Sequence, residues 1–256
     1  MVLQDILEYK KRELAEFKKQ YSYSDFEKKI KTVRPKQVFR QALKKSSLTL
    51  IAEVKKASPS EGLICKEFEP VSIAKIYEEI GAHAISVLTD QKFFQGHIDC
   101  LKKIRDALSL PLLRKDFILD EIQLLEAKAA GADACLLIVK ALTPQRLSDL
   151  ICCSESLGLD ALVEIHDREE LQIAMDSGAV LLGVNNRNLQ TFKTDLNISI
   201  DLMAQIPKTC LRVSESGLEN REQVDQMRKA GADAVLIGTA FMKAANKKQL
   251  FQDLFS

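Results

Sequence analysis

Charged and polar side chains stand where this chain's short apolar runs stop. Glu53 and Lys55 close the run that begins at Leu48, Lys115 follows Pro111–Arg114, and Lys140 follows Ala134–Val139. Glu164 ends Ala161–Glu164, Asn185 and Arg187 follow Val180–Val184, and Ser214, Glu215 and Ser216 follow Thr209–Val213. Residues two apart on a strand share a face, so Glu53 and Lys55 point the way Ile51 does, and Asn185 pairs with Arg187. A charged pair turned inward is costly unless it is paired or used. If the runs converge on one mouth, the carboxylates Glu53, Glu164 and Glu215 meet the ammonium groups Lys55 and Lys115. Such groups shift one another's proton affinity and yield an acid and a base near neutral pH. A structural ion-pair ring accounts for any one of these charges; five at one mouth favour catalysis.

Two further signals suit an anion. Ser214-Glu-Ser-Gly217 is followed on the next run by Gly238-Thr239. In barrels, the loops after strands seven and eight commonly cradle a phosphate with backbone N–H groups. The weaker reading gives Gly217 and Gly238 turn duty alone. The segment Lys55-Lys-Ala-Ser58-Pro-Ser60 places Lys and Ser after strand one, where a solvated loop looks the same.

The elements that must position these groups are marked by a repeat. Gly81, Gly131, Gly158, Gly178 and Gly231 each end a helical pattern and open an apolar run. Glycine suits the left-handed residue that ends a helix, and continuous apolar runs suit parallel strands buried on both faces. Eight strands follow: Leu48–Val54, Ala84–Leu88, Pro111–Arg114, Ala134–Val139, Ala161–Glu164, Val180–Val184, Thr209–Val213 and Ala234–Ile237. Helical patterns fall between most of them, at Ser72–Ile80, Ile98–Ala107, Ile122–Ala130, Pro144–Leu157, Arg168–Ser177 and Arg221–Ala230. Thr143-Pro144 and Asp167 read as helix starts. In 256 residues this alternation specifies an α/β fold, a (β/α)8 TIM barrel, in a single domain spanning 1–256. Residues 1–45 form an N-terminal helical extension, with an amphipathic helix over 3–19, a turn around Tyr21–Asp25, and a second helix over 36–45 after Pro35. A last helix covers Gln249–Phe255.

Composition narrows the classes. No apolar run reaches the length of a membrane span, and neither a signal core nor a transit-peptide pattern opens the chain. The six cysteines form no Cys-x-x-Cys pair and read as reduced, packed thiols of a cytoplasmic protein. The three scattered histidines make no metal site. Residues 1–45 hold 13 Lys and Arg against 6 Asp and Glu, but lack interleaved aromatics, so a solvated helix face is favoured over nucleic acid.

The strand ends resemble one family. Ile51-Ala-Glu-Val-Lys-Lys-Ala-Ser-Pro-Ser60 is similar to the first-strand signature of the indole-3-glycerol-phosphate synthases. The likeness continues in Leu88-Thr-Asp-Gln-Lys-Phe-Phe-Gln-Gly96, Leu113-Arg-Lys-Asp-Phe117, Val163-Glu164, Val184-Asn-Asn-Arg-Asn-Leu189, Val213-Ser-Glu-Ser-Gly217 and Leu236-Ile-Gly238. It departs at Thr239, where many members have Ser or Glu; the hydroxyl is kept. The resemblance implies a carboxy-lyase of tryptophan biosynthesis that closes the indole ring of 1-(2-carboxyphenylamino)-1-deoxyribulose 5-phosphate with loss of CO2 and water, without metal or organic cofactor. It assigns ketone protonation to Lys115, dehydration to Lys55 and Glu53, and stabilisation of an iminium charge to Glu164. Lys55 also holds the departing carboxylate in this reading. Glu215, Asn185, Arg187 and Ser216 orient the substrate, while Ser58, Gly217, Gly238 and Thr239 receive the phosphate. Phe94 and Phe117 wall the aromatic ring. The expected partner is a phosphorylated small molecule, with no nucleic acid, no membrane, and a monomer or weak homo-oligomer. Competing readings are a phosphosugar aldolase with a Schiff-base lysine at Lys115 or Lys140, a degenerate barrel acting as a sensor or scaffold, and, more faintly, RNA binding by the basic leader.

Overall fold

A computed structural model of the protein describes residues 3–30, 38–45, 47–188 and 191–255. Eight parallel strands close a barrel: β1 (Thr49–Val54), then, after the hairpin β2 (Ala57–Ser58) and β3 (Gly62–Leu63), β4 (Ala84–Leu88), β5 (Leu112–Lys115), β6 (Ala134–Ile138), β7 (Asp160–Ile165), β8 (Leu181–Asn185), β9 (Leu211–Glu215) and β10 (Ala234–Ile237). The barrel strands run in chain order, and β10 closes onto β1 with Ile51 opposite Leu236. Alternate residues feed two cores. Leu50, Ala52 and Val54 pack outward under the helices, while Ile51, Leu113, Leu136, Leu162, Val213 and Leu236 fill the barrel interior. Glu53 continues the inward row of Ile51, as the two-residue period requires.

The leader contributes α1 (Leu3–Gln20), α2 (Tyr23–Glu27) and α3 (Val38–Leu43). Outside the barrel lie α4 (Pro70–Glu79), α5 (Ile98–Ala107), α6 (Glu121–Ala129), α7 (Pro144–Ser156), α8 (Arg168–Asp176), α9 (Asn197–Met203) and α10 (Arg221–Ala230), and the chain ends in α11 (Thr239–Lys243) and α12 (Lys247–Phe255). The five glycines of the repeat all take left-handed backbone, with φ of 93, 89, 68, 88 and 89°. A residue with a Cβ is disfavoured there, so glycine fixes each helix-to-strand corner. Thr143 caps α7 and Asp167 caps α8 by accepting the N–H groups of Arg146 and Glu170.

Several elements differ from expectation. The turn expected at Tyr21–Asp25 is the start of α2, because Asp25 accepts the backbone N–H of Ser22 at 2.8 Å and Phe26 is buried. The second leader helix begins at Val38; Pro35, Lys36 and Gln37 lie outside the described residues. Strand seven is shifted to Leu211–Glu215, since Cys210 N–H still turns back onto the Pro207 carbonyl. Cys210 therefore precedes the strand. The α9 helix, the α11 helix and the β2–β3 hairpin lacked a periodic apolar signal long enough to read.

The leader grips both ends of the barrel. Phe39 and Leu43 of α3 are fully buried beneath the strands' N-terminal ends, and Arg40 bonds Asp160, the first residue of β7, through its backbone N–H at 2.9 Å. At the opposite end Lys10 of α1 is 3% exposed and lies 2.9 Å from Asp90 and 3.0 Å from Asp116. Its ammonium is stabilised despite burial by those two carboxylates and by Glu13. Removing one partner of such a buried set leaves uncompensated charge. Lys10→Met is expected to lower unfolding stability by about 3–5 kcal/mol in a urea titration; a change under about 1 kcal/mol, the range of a surface pair, would show the contact to be dispensable.

Candidate active site

The C-terminal ends of the strands open into one cavity whose floor is Leu136, Ile138 and Leu236 from the barrel interior. Of the residues expected to act, Glu53, Lys55, Ser58, Phe94, Lys115, Glu164, Asn185, Arg187, Ser216, Gly217, Gly238 and Thr239 line it, and Phe117 joins them. Glu215 does not. It lies directly below, fully buried, and reaches the cavity through Lys115.

The charges form a chain. Lys55 Nζ is 2.7 Å from Glu53 Oε1, Glu53 Oε2 is 3.3 Å from Lys115 Nζ, and Lys115 Nζ donates to Glu215 Oε2 at 2.8 Å. Burial works against the Lys115 ammonium, but Glu215, Glu53 and Glu164 overcome it and hold the proton well above the usual lysine range. Burial likewise opposes the Glu53 carboxylate, which Lys55 and Lys115 lower to about 2. Glu215 goes the other way. Burial, with the charges of Glu164 and Glu53, outweighs Lys115 and raises it to about 6. Its Oε1 is buried without a hydrogen-bond partner. The site thus holds a firmly protonated donor beside a carboxylate that titrates near neutrality.

Two glycines make room for these carboxylates. A Cβ at Gly183 would overlap Glu215 Oε1, and one at Gly238 would overlap Glu53 Oε1. Neither position has left-handed backbone, so the requirement there is space.

Lys140 is the strand-end residue that the structure removes from the site. The strand stops at Ile138 and Val139–Ala141 form a 3-10 turn, which swings Lys140 outward. Its side chain is 45% exposed and pairs with Glu170 of α8 at 3.2 Å.

The remaining wall is built from loops. Asn185 Oδ1 accepts the backbone N–H of Arg187 at 3.0 Å, and the Arg187 guanidinium donates to the Phe192 carbonyl at 3.0 Å. Leu189 of the same motif lies outside the described residues. Phe94 is held by Asp90, whose Oδ1 accepts the N–H groups of Phe93 and Phe94, and its ring meets Phe117 at 6.3 Å between centroids. Ser216 takes left-handed backbone, φ 68°, while buried Asn186 donates to the carbonyls of Glu215 and Ser216. The non-glycine left-handed residue is strained and held by that amide. Gly217, Gly238 and Thr239 edge the rim, with Ser58 also on the cavity wall.

Sequence reasoning missed several contributors. Leu3 and Ile6 of α1 line the cavity; their apolar face was legible, its target was not. Asn186 faces away from the cavity and works on the backbone. His166 sits two residues after Glu164, a spacing the same-face rule already covers. The Lys10–Asp90–Asp116 cluster joins segments far apart in sequence. Among the described residues, no group of three or more His, Cys, Asp or Glu is placed to hold a metal ion, and no helix is long and apolar enough to cross a membrane.

A family model described as Indole-3-glycerol phosphate synthase matches residues 3–254. Curated relatives of that name include one from Chloroherpeton thalassium, 48% identical over 240 residues and covering 92% of both chains, and one from Chlorobium phaeovibrioides, 46% identical over 250 residues and covering 97% of both. Among solved structures, a 3-hexulose-6-phosphate synthase aligns with a TM-score of 0.63 at 16% identity, covering 81% of this chain and 98% of that one. A thiamine phosphate pyrophosphorylase from Pyrococcus furiosus aligns at 0.61 and 17%, covering 81% and 93%. At those identities the structural likeness speaks for the barrel alone.

Proposed function

This chain belongs to the indole-3-glycerol phosphate synthase family, and from that premise we propose how its rim performs the reaction. The enzyme is a carboxy-lyase of tryptophan biosynthesis that acts on a phosphorylated small molecule. Ring closure joins an aromatic carbon to the ketone carbon of 1-(2-carboxyphenylamino)-1-deoxyribulose 5-phosphate. The ketone oxygen becomes a hydroxyl, CO2 leaves the aromatic carbon, and the hydroxyl leaves as water.

The observation that carries our assignment is the ammonium of Lys115, fixed between Glu53 and Glu215 over an apolar floor. Lys115 donates to the ketone oxygen as the ring closes. A Schiff-base nucleophile needs a neutral amine, and the carboxylates around Lys115 favour its charged form instead. Glu164 faces the positive charge that develops on the ring nitrogen. Lys55 binds the carboxylate that departs as CO2, and the Lys55–Glu53 pair serves dehydration. Glu215 holds Lys115 in line. Asn185, Arg187 and Ser216 orient the ribulose hydroxyls, Phe94 and Phe117 flank the aromatic ring, and Ser58, Gly217, Gly238 and Thr239 receive the phosphate.

Three of the leader's basic residues pair with barrel carboxylates, Lys10 with Asp90 and Asp116, Lys18 with Asp120 and Arg40 with Asp160, which supports a role in binding the barrel. We read residues 1–256 as one domain, 1–45 being its helical extension, present as a monomer or weak homo-oligomer. The six free thiols suit the cytoplasm.

Incubating the purified protein with the carboxyphenylamino-deoxyribulose phosphate tests the reading. Indole fluorescence is expected to rise at a rate that a chelator leaves unchanged, and borohydride is expected to trap no covalent adduct. Failure to form the indole, together with a borohydride-trapped adduct of a keto-sugar phosphate, would transfer the barrel to the aldolase class.

A further inference from the structure

Behind Glu164 lies a second group of titratable side chains that no step above uses. His166 follows β7, is 8% exposed in its side chain, and does not line the cavity. Its Nδ1 is 2.9 Å from Glu170 Oε2, and the same carboxylate oxygen accepts the backbone N–H of His166 at 2.9 Å. Glu170 is anchored from the other side by Lys140 at 3.2 Å, whose exposed ammonium marks the edge of solvent. The other imidazole nitrogen, Nε2, is buried without a hydrogen-bond partner and stands 3.5 Å from Glu164 Oε1. A buried nitrogen left without a partner, aimed at a cavity carboxylate, calls for an explanation.

The chemistry of the ring closure supplies one. Written with the substrate carboxylate ionised, the reaction consumes one proton. The ketone oxygen takes up two hydrogens to leave as water, and the methylene carbon gives one up. Groups in the cavity must therefore gain a proton from solvent in every cycle. Lys115 and Glu53 are poor stores, because one holds its proton and the other its charge too strongly.

We propose that His166 is the proton store for Glu164. The Glu170 carboxylate binds Nδ1–H, as in other carboxylate–imidazole pairs, so that Nε2 is the site that gains or gives a proton. The step is a single transfer: the Nε2–H bond breaks as the O–H bond forms on Glu164 Oε1; Glu164 passes that proton on to the substrate, and a proton from solvent restores the imidazolium. The imidazolium charge is balanced by Glu170, and solvent reaches the pair beside Lys140. When the proton rests on His166, Glu164 is anionic and able to face the developing ring cation. When it rests on Glu164, the cavity has an additional donor. Burial lowers the imidazole's proton affinity, but the Glu170 bond and the charges of Glu164 and Glu170 prevail over it and over Lys140, leaving the affinity raised overall. His166 touches no substrate; it is a positioning residue that acts through Glu164, and its role rests on the assignment of Glu164 above.

His166→Gln and His166→Ala separate this from a packing role. Glutamine places an amide N–H near Nε2 but exchanges no proton at neutral pH. Its kcat is expected to fall about tenfold or more, less than the 10²–10⁴-fold of a direct proton-transfer group, with KM unchanged. In the alanine variant, added imidazole is expected to restore rate in a saturable manner. Wild-type kcat in His166→Gln, or a folded His166→Ala enzyme that imidazole does not rescue, would overturn the proposal. If the alanine variant does not fold, the glutamine variant decides alone. Glu164→Gln is the control: full activity there removes the assignment of Glu164 itself, whereas its loss beside a normal His166→Gln enzyme removes only the store.

Discussion

Replacing Lys115 with methionine is expected to lower kcat by about 10²–10⁴-fold while the far-UV dichroism of the barrel stays unchanged. Methionine keeps an unbranched stem of similar length and removes only the donor. The loss corresponds to about 3–5 kcal/mol on the barrier, at 1.36 kcal/mol per factor of ten. It falls on kcat and kcat/KM alike, because the donor matters as charge develops on the ketone oxygen, while Lys55 and the phosphate rim still hold the ground state. The fold tolerates the change for a specific reason. Without the ammonium, Glu53 and Glu215 face each other, but the proton affinity of Glu215 is already raised and rises further once the Lys115 charge that lowers it is gone. Arginine is not expected to restore activity, since its planar fork cannot occupy the point between two carboxylates that the Lys115 ammonium fills. Initial rates from indole fluorescence, with dichroism as the control, check this.

Glu164→Gln is the second large effect. The two side chains have the same shape, and Glu164 is 2% exposed, so the substitution removes a charge and little else. Loss of a preorganised group opposite developing charge costs about 10²–10³-fold in kcat. A second readout is tied to the same charge. Glu164 helps hold the proton affinity of Glu215 up at about 6, so removing its negative charge must lower that affinity. Any limb of the rate–pH profile that reports Glu215 is expected to move to lower pH in the variant. A profile that stays in place, or moves upward, would show that the two carboxylates do not sense each other.

Most of the barrel was readable because two local rules acted together. A left-handed glycine leaves few alternatives for how a helix ends, and a run buried on both faces has no polar residue to confuse it. The period of two then turned strand ends into a set of inward side chains, which is why Glu53, Lys55, Asn185 and Arg187 were placed together without any knowledge of contacts. The same rule failed where the backbone left the strand. Lys140 was assigned to the rim, but a 3-10 turn begins one residue earlier and rotates it onto Glu170. Depth was also hidden. Glu215 and Glu53 occupy equivalent strand-end positions in the sequence, yet one lies beneath the cavity and the other lines it. Docking of the leader was the least legible feature. The amphipathic face of α1 announced burial, while its partners Asp90 and Asp116 stand some 80 and 106 positions on from Lys10.

The geometry is tested most directly by a crystal structure with the substrate's ketone reduced to an alcohol, which cannot close the ring. Our assignment places the phosphate against Gly217, Gly238 and Thr239, the alcohol oxygen within hydrogen-bond distance of Lys115 Nζ, and the aromatic ring between Phe94 and Phe117. A ligand bound with its phosphate beside Lys115, or with its reduced carbon out of reach of that ammonium, would contradict it.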